Sequence, residues 1–288
     1  MVNEIRKPHY AQIELTFGCN NKCPFCFTQT LQKKHPSTMT LNTAKKIADT
    51  FKKSGIDPIR IEFAMRGEPL LNPHWLTITK LFRKSMPNSQ ITLTTNGNLL
   101  NKHKAIQFFK NGGNILLIDC YNNTIHERKE YYKQFKPIEF YKSTFNPWHR
   151  HKPTTKRIVL LDDILPNNKI KKSRIINNHA GNINTKYLEK IGITFPQTPL
   201  KKKCNKPWYE LAILYDETIP LCCEDANINT PLGNIHNITN ITQFYKHNPK
   251  LNKIREYLYN KQRKKIKTCS KCTVQGGRVQ FLQPPPYT

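Results

Sequence analysis

One pattern recurs along the first 120 residues and limits the possible folds more than any other feature: a short strand followed by a helix. The strand candidates, identified by alternation of apolar and polar residues or by a short apolar run, are residues 11–17, 59–63, 91–96 and 114–118. Apolar residues at helical spacing predict helices over residues 40–53, 75–84 and 102–110. Alternating strands and helices are typical of parallel βαβ units, so we expect an α/β fold.

The second face of the predicted strands is polar. Gln12, Glu14 and Thr16 alternate with apolar residues in the first strand, and Arg60 and Glu62 do so in the second. A doubly wound sheet is covered on both faces, so its strands tend to be apolar throughout. With two further strand candidates at residues 138–141 and 157–161, we expect a partial, open TIM-like (β/α)6 barrel whose lumen holds solvent, cofactor or substrate.

The pattern changes near residues 190–203, where prolines and a lysine run precede a cysteine-bearing segment. Beyond this boundary, residues 210–215 and 219–222 predict a hairpin with Asp216-Glu217 at its turn, and residues 241–260 predict a helix interrupted near Pro249. We expect a barrel over residues 8–195, a small cysteine-rich domain over residues 200–275, and a tail over residues 276–288.

The charge of the chain is strongly unbalanced: 47 Lys and Arg against 19 Asp and Glu give a formal net charge of +28. Such a balance favours nucleic acid, an anionic membrane or an acidic protein as a partner. Lysine outnumbers arginine 36 to 11, whereas phosphate-binding surfaces favour the planar fork of arginine. AT-rich coding drift would give the same composition without any partner, so both explanations stay open. Local basic clusters occur at residues 201–203 and 263–265.

The sequence predicts neither a membrane span nor a secretory signal, because it has no apolar run of about eighteen residues and its start is polar. We therefore expect a cytoplasmic protein with no membrane partner. In a reducing cytoplasm, nine cysteines indicate metal or redox chemistry rather than disulfides.

Three of the cysteines, Cys19, Cys23 and Cys26, lie within eight residues directly after the first predicted strand. Three thiolates in one short loop can converge on one face of a [4Fe–4S] cube, which leaves one iron open for chemistry. A zinc knuckle is one alternative, although zinc sites usually close with four ligands and no histidine follows at short spacing before His35. Three unrelated buried thiols are the other alternative.

Three motifs together resemble those of the radical S-adenosylmethionine (SAM) enzymes. The first is the CxxxCxxC loop of residues 19–26, with the aromatic Phe25 before its last cysteine. The second, Arg66-Gly67-Glu68-Pro69, is similar to the family's Gly-Gly-Glu-Pro and departs from it at Arg66. The third is Thr94-Thr95-Asn96-Gly97, which ends the third strand. All three follow strands, and α/β barrels place their active sites at the carboxyl ends of their strands.

The resemblance implies a role for each motif. The three cysteines would hold a [4Fe–4S] cluster whose open iron chelates SAM. Glu68, following Gly67 at the methionine part of SAM, would accept a hydrogen bond from its amino group. Thr95 and Asn96 would lie at the ribose, and Phe25 would lie by the adenine, with its backbone reading the base edge. In this family the reduced cluster cleaves SAM to a 5′-deoxyadenosyl radical, which abstracts hydrogen from a substrate C–H bond.

A second cysteine set resembles the shorter auxiliary-cluster extension called Twitch, a relative of the SPASM domain. Its members, Cys204, Cys222, Cys269 and Cys272, would hold one auxiliary [4Fe–4S] cluster, although the same four-cysteine spacing fits a zinc ribbon on chemistry alone. Cys223 could replace Cys222 as the ligand. Cys120 follows the fourth strand, and we regard it either as a hydrogen donor to a product radical or as an inert buried thiol.

These observations predict a radical SAM enzyme that modifies a peptide or protein side chain, with a small molecule also possible as the substrate. An electron donor such as flavodoxin or ferredoxin is the expected partner. One alternative is the same chemistry on a nucleic acid or nucleotide, motivated by the net charge of +28. The other alternative is a non-enzymatic zinc protein that binds RNA.

Overall fold

The computed structural model describes residues 7–31, 35–119, 130–131, 133–136, 156–161, 178–190, 192 and 194–274. Six parallel strands form one sheet in the order β7-β6-β5-β4-β1-β8, and two-stranded ribbons join β2 to β3 and β9 to β10. The strands are β1 (Tyr10–Ile13), β2 (Thr16–Phe17), β3 (Ser37–Thr38), β4 (Arg60–Phe63), β5 (Gln90–Thr95), β6 (Ile115–Asp119), β7 (Arg157–Leu161), β8 (Glu210–Ile213), β9 (Thr218–Ile219) and β10 (Gly233–Asn234).

The helices cover the outer face of this sheet and build the C-terminal part. They are α1 (Thr28–Leu31), α2 (Leu41–Lys53), α3 (Trp75–Ser85), α4 (Lys102–Lys110), α5 (Thr185–Lys190), α6 (Lys206–Tyr209), α7 (Ile241–His247), α8 (Pro249–Tyr259) and α9 (Lys267–Ser270). Pro249 separates α7 from α8 at the predicted interruption. Among the described residues, no helix has both the length and the apolar character needed to cross a bilayer.

Helix α2 shows why the predicted elements form where they do. The Thr40 side chain caps it by accepting a hydrogen bond from Thr43 N, and Ala44, Ile47 and Phe51 are buried in the main core. Gly55 follows with a φ of +64°, a conformation in which a residue without Cβ is not strained. The helix therefore begins, packs and ends through local sequence signals, as predicted.

The polar inner face predicted from strand alternation is present. On the inner face of the sheet, Gln12 lies in register with Glu62 and Glu62 with Thr92. The buried Glu62 accepts hydrogen bonds from the Tyr10 hydroxyl and, at 3.0 Å, from Thr94 Oγ1. The linear strand order leaves the sheet open between β7 and β8, which confirms the expected partial barrel.

The position of β8 differs from the sequence prediction. Residues 210–215 were expected to pair with residues 219–222 in a hairpin, yet β8 pairs in parallel with β1 and β9 pairs with β10. The turn is nevertheless there: Leu214 N donates to Thr218 O at 2.9 Å, and Glu217 has a φ of +71°. β8 becomes an edge of the barrel sheet because its apolar Leu211 and Ile213 bury their side chains in the main core. The predicted strand at residues 138–141 lies outside the described residues.

Two buried arginines organise the C-terminal part. Arg255 donates to the backbone oxygens of Pro207 and Tyr245 at 2.6–2.9 Å, and Arg263 donates to those of Lys202 and Lys203 at 2.9 and 3.0 Å. The cluster at residues 263–265 is therefore only partly a surface feature, because Arg263 is 1% exposed. A buried guanidinium with several carbonyl partners acts as an internal cross-link between segments distant in sequence.

Candidate functional site

The candidate site lies at the carboxyl edge of the sheet, where three loops meet. Cys19, Cys23 and Cys26 occupy the loop between β2 and α1. The pKa of the Cys23 thiol is raised to about 12, mainly by burial and in part by the neighbouring Cys26 and Cys19. The three thiols are therefore close enough to affect one another electrostatically, as a shared cluster site requires.

A close backbone contact joins the cysteine loop to the loop after β4. Gly18 N donates to Arg66 O at 3.2 Å, and Glu68 N donates to Gly18 O at 3.0 Å. A Cβ on Gly67 would collide with the backbone oxygens of Gly18 and Thr16. Gly67, the second residue of the motif Arg66-Gly67-Glu68-Pro69, is thus fixed as glycine by steric exclusion.

Glu68 is almost fully buried and holds the third loop in place. Its carboxylate accepts hydrogen bonds from Thr95 Oγ1 at 2.7 Å, Asn96 N at 2.8 Å and Leu70 N at 2.9 Å. Burial raises the pKa of Glu68 to about 7, with a further contribution from Asp119, while the three hydrogen bonds oppose the rise. The carboxyl group therefore titrates near neutral pH.

Asn96 contacts residues of both other motifs. Its Nδ2 lies 3.3 Å from Cys19 Sγ and donates to Asn20 Oδ1 at 2.8 Å. The cysteine loop, the Glu68 loop and the end of β5 consequently touch one another within one site, although they are about 80 residues apart in sequence at their extremes.

Phe25 lies at one side of the site. Its ring packs against Tyr187 with centroids 6.4 Å apart, and its carbonyl accepts a hydrogen bond from Asn184 N at 2.9 Å. An adenine edge that used this carbonyl would have to share or displace the Asn184 bond. Cys120, the suggested hydrogen donor, lies outside the described residues.

Two features of the site were missed from the sequence. Asp119, at the end of β6, is buried and interacts electrostatically with both Cys23 and Glu68. Its position after a strand, like that of the three motifs, was the available signal. The second feature is the buried ion pair of Glu14 and Arg66, with Nε–Oε1 at 2.7 Å and Nη2–Oε2 at 2.8 Å. No local pattern connects these two residues.

The ion pair gives the departure at Arg66 a structural explanation. Arg66 also donates to Ala226 O at 3.2 Å and stacks its guanidinium 4.5 Å from the centre of the Phe17 ring. Glu14 in turn accepts a bond from Tyr215 N at 3.4 Å. The side chain that replaces the family's glycine therefore ties the Glu68 loop to the C-terminal segment.

The second cysteine set lies in the C-terminal part. The Cys269 thiol is buried, which raises its pKa, and it interacts with Cys204 and Cys272. Cys222 is also buried. Cys223 Sγ lies 2.9 Å from Lys206 Nζ, a buried ammonium that also binds Glu210 at 2.8 Å. The structure thus brings Cys204, Cys269 and Cys272 together, whereas Cys222 is an electrostatic neighbour of Cys223 and Lys206.

The donor chemistry of both cysteine sets fits iron–sulfur clusters. Each set consists of thiol sulfurs, the usual ligands of such clusters. In the part of the chain that the structure describes, no three His, Cys, Asp or Glu side chains are close enough to hold a single metal ion. A cubane needs a wider arrangement, because each sulfur binds a different iron at a different corner.

Two family models match the chain in the same order as the two cysteine sets. The model of the radical SAM superfamily covers residues 13–163, and that of the SPASM iron–sulfur cluster-binding domain covers residues 204–273. The chain belongs to the radical SAM superfamily. Its two domains imply a [4Fe–4S] cluster with SAM and an auxiliary iron–sulfur cluster. This assignment replaces the alternative of a non-enzymatic zinc protein that binds RNA.

Curated relatives match about a third of the chain. The chain is 34% identical over 100 residues to a GTP 3′,8-cyclase of Peptoclostridium acidaminophilum and 31% identical over 102 residues to one of Pasteurella multocida. These segments cover 34% and 35% of this chain, but only 30% and 29% of the two relatives.

Solved structures share the fold over nearly the whole chain. BtrN in complex with AdoMet and 2-DOIA superposes with a TM-score of 0.70 at 18% identity, covering 92% of both chains. Native anSMEcpe with bound AdoMet gives a TM-score of 0.54 at 16% identity, covering 92% of this chain and 89% of that one. At these identities the likeness concerns the fold alone.

Proposed function

We propose that this protein reductively cleaves SAM and uses the resulting radical to abstract hydrogen from a peptide or protein side chain. Cys19, Cys23 and Cys26 would hold the cluster, which when bound would supply an open iron for SAM and the electron for its reductive cleavage. The observation that carries the proposal is the contact of all three motifs through Asn96, which touches Cys19 and donates its backbone N–H to Glu68.

In this proposal the chain's own residues bind and orient SAM. The Glu68 carboxylate receives the amino group of SAM in a charge-assisted hydrogen bond. Three donors already fix its orientation, so little side-chain entropy is lost on binding. Thr95 and Asn96 stand beside it for the ribose, and Gly67 keeps the loop close to the cysteines.

The lumen offers the polar groups that a substrate side chain needs. Glu62, Tyr10 and Thr94 form one hydrogen-bonded group, and Arg60 Nε donates to Thr92 Oγ1 at 3.0 Å. A substrate that reaches this lining must exchange hydrogen bonds with groups that already pair with one another, which favours a polar substrate over an apolar one. An amide-rich peptide segment meets that requirement.

A nucleotide substrate is the second candidate, because the curated relatives are GTP 3′,8-cyclases. The similarity covers 34% of this chain and 30% of that relative. Membership of one superfamily supports shared radical chemistry more strongly than a shared substrate.

The auxiliary cluster has a proposed ligand set of Cys204, Cys222, Cys269 and Cys272. Three of these are electrostatic neighbours, and the Lys206 contact of Cys223 favours Cys222. The buried Arg263 lies near Cys269 and Cys272, and its positive charge would partly balance thiolate ligands.

The experiment is anaerobic reconstitution with iron and sulfide, followed by addition of dithionite and SAM. The unsubstituted chain should form 5′-deoxyadenosine. Cys23→Ala should form it at a rate at least about a hundredfold lower, because a ligand to the SAM-binding cluster is lost. Cys223→Ala, which removes a thiol outside both proposed ligand sets, serves as the matched control and should keep most of the rate. Equal rates in the Cys23→Ala variant and the unsubstituted chain would reject the proposal.

The substrate class is tested with deuterium. A lysate of cells grown in deuterated medium is separated into protein and peptide, nucleotide and nucleic-acid, and remaining small-molecule pools, and each is added to the reaction. Hydrogen abstraction transfers one deuterium to 5′-deoxyadenosine, which mass spectrometry detects. Label from the protein and peptide pool supports the first candidate, and label from the nucleotide pool alone favours the second.

A further inference from the structure

A group of exposed lysines, here called the lysine face, lies close along the chain to three of the auxiliary cysteines, Cys204, Cys269 and Cys272. Its members come from two stretches of the chain: Lys201, Lys202, Lys203, Lys264, Lys265 and Lys267. All six are exposed. Neither residues 196–209 nor residues 257–274 contain an Asp or Glu, so no carboxylate within these stretches offsets the charge of the face.

The two stretches form one surface because the buried Arg263 joins them. Its Nε and Nη2 donate to the backbone oxygens of Lys202 and Lys203 at 2.9 and 3.0 Å, while Lys264 and Lys265 follow it directly in sequence. The backbones of the two stretches are thus held beside each other by an internal cross-link.

The lysine face lies beside a redox centre. Lys203 immediately precedes Cys204, and Lys267 begins α9, the helix that carries Cys269. Arg263, which joins the two stretches, is also an electrostatic neighbour of Cys204, Cys269 and Cys272. A partner that docks here would lie next to the auxiliary cysteines.

We propose that an acidic electron-carrier protein of the flavodoxin or ferredoxin class docks on the lysine face. The inference rests on the proposed function, because reductive cleavage of SAM consumes one electron that a reductant must deliver. Clustered cations on one side and clustered carboxylates on the other steer the encounter and fix the orientation of such complexes.

The composition of the face favours an acidic protein over nucleic acid. Its cations are all lysines, while Arg263, which could form a fork with phosphate, is buried. The aromatic rings nearby already make cation–π contacts with lysines of the face. Lys203 Nζ lies 3.8 Å from the Tyr259 ring centre, and Lys265 Nζ lies 5.0 Å from the Tyr257 ring centre. Rings covered in this way are poor platforms for stacked bases.

The test compares two triple charge reversals in the full, reconstituted chain. Lys201→Glu/Lys264→Glu/Lys267→Glu alters the lysine face. Lys80→Glu/Lys84→Glu/Lys102→Glu makes the same change in net charge on α3 and α4 of the barrel, at exposed positions. The measurement is the dissociation constant for oxidised flavodoxin at about 50 and about 200 mM salt, where screening differs by about twofold in Debye length.

We expect the lysine-face triple to bind flavodoxin at least about tenfold more weakly, the barrel triple to change less than about threefold, and the affinity of the unsubstituted chain to fall with salt. A single-stranded RNA oligonucleotide is measured as a second ligand. Three outcomes would overturn the proposal: no binding of flavodoxin to the unsubstituted chain, equal losses of flavodoxin affinity in both triples, or a lysine-face triple that loses affinity for the RNA but not for flavodoxin. Dithionite-driven formation of 5′-deoxyadenosine by the unsubstituted chain tests the proposed function separately, because it needs no protein donor.

Discussion

At the scale of single residues, Glu68 is the group whose chemistry the tertiary structure changes most. An exposed glutamate is ionised at neutral pH, but burial raises the pKa of Glu68 to about 7. The protonated carboxyl cannot accept a charge-assisted bond at the protonated oxygen. In the proposed SAM site, the ionisation of Glu68 would therefore be coupled to its hydrogen bond with the SAM amino group.

This coupling predicts that SAM binding depends on pH. With a pKa of about 7, roughly a tenth of Glu68 is ionised at pH 6 and roughly nine tenths at pH 8, so the affinity for SAM should rise about tenfold over this range. Glu68→Gln should remove the dependence and weaken binding at pH 8 by about tenfold. Equilibrium dialysis on reconstituted protein measures both effects.

The matched control is Glu256→Gln, which alters an exposed carboxylate on α8 that pairs with Lys253. It should retain the pH dependence of the unsubstituted chain. A Glu68→Gln variant with an unaltered slope between pH 6 and pH 8 would assign the titration to another group.

At the scale of elements, the site depends on how closely two loops approach each other. The bridge between Gly18 and Gly67 is a parallel pairing that extends the contact of the strands into the loops. Gly67 is required by the space available, since a Cβ would meet backbone oxygens that cannot move independently. Gly55, by contrast, is required by its φ of +64° and has open space around it.

Gly67→Ala should therefore separate the Glu68 loop from the cysteine loop. We expect a loss of about 1–3 kcal/mol in stability and a fall in SAM affinity of at least about tenfold, because Glu68 moves with the loop. Gly55→Ala should cost about 1 kcal/mol through backbone strain and leave SAM affinity unchanged. Chemical denaturation and equilibrium dialysis give the two readouts, and unchanged SAM binding in Gly67→Ala would contradict the steric argument.

Local sequence signals predicted most elements of the barrel. The helices α2, α3 and α4 lie where their apolar spacing predicted, and residues 157–161 form β7 with the predicted bounds. The first predicted strand, residues 11–17, is split into β1 and β2, because β2 leaves the sheet to pair with β3. Alternation reports the face of each residue but not the partner of each strand.

At the scale of the whole molecule, one buried ion pair connects the two cysteine-bearing parts. Arg66, after β4, donates two hydrogen bonds to the carboxylate of Glu14, which directly follows β1. Arg66 also donates a hydrogen bond to Ala226 O in the C-terminal part. Removing one member would leave the other as a buried charge without compensation, which is the costly case.

Arg66→Met should accordingly reduce the free energy of unfolding by about 3–5 kcal/mol, measured by urea denaturation. Lys45→Met, which removes a cation from the exposed Lys45–Asp49 pair, should change it by less than about 0.5 kcal/mol. The double variant Glu14→Met/Arg66→Met should recover part of the loss, because it leaves no isolated charge. A single variant as stable as the unsubstituted chain would show that the pair contributes nothing to stability.

The sequence by itself determined the local chemistry: a thiol triplet in one loop, the alternation that makes the lumen polar, and the caps and glycines that end the helices. These features depend on residues close together in the chain, whose geometry the backbone dictates. Only the tertiary structure decided that β8 joins the barrel sheet, that Arg66 pairs with Glu14, and that Arg263 is buried while the neighbouring lysines are exposed. These outcomes depend on contacts between segments 50 or more residues apart, which arise from burial and packing and leave no periodic signal in the sequence.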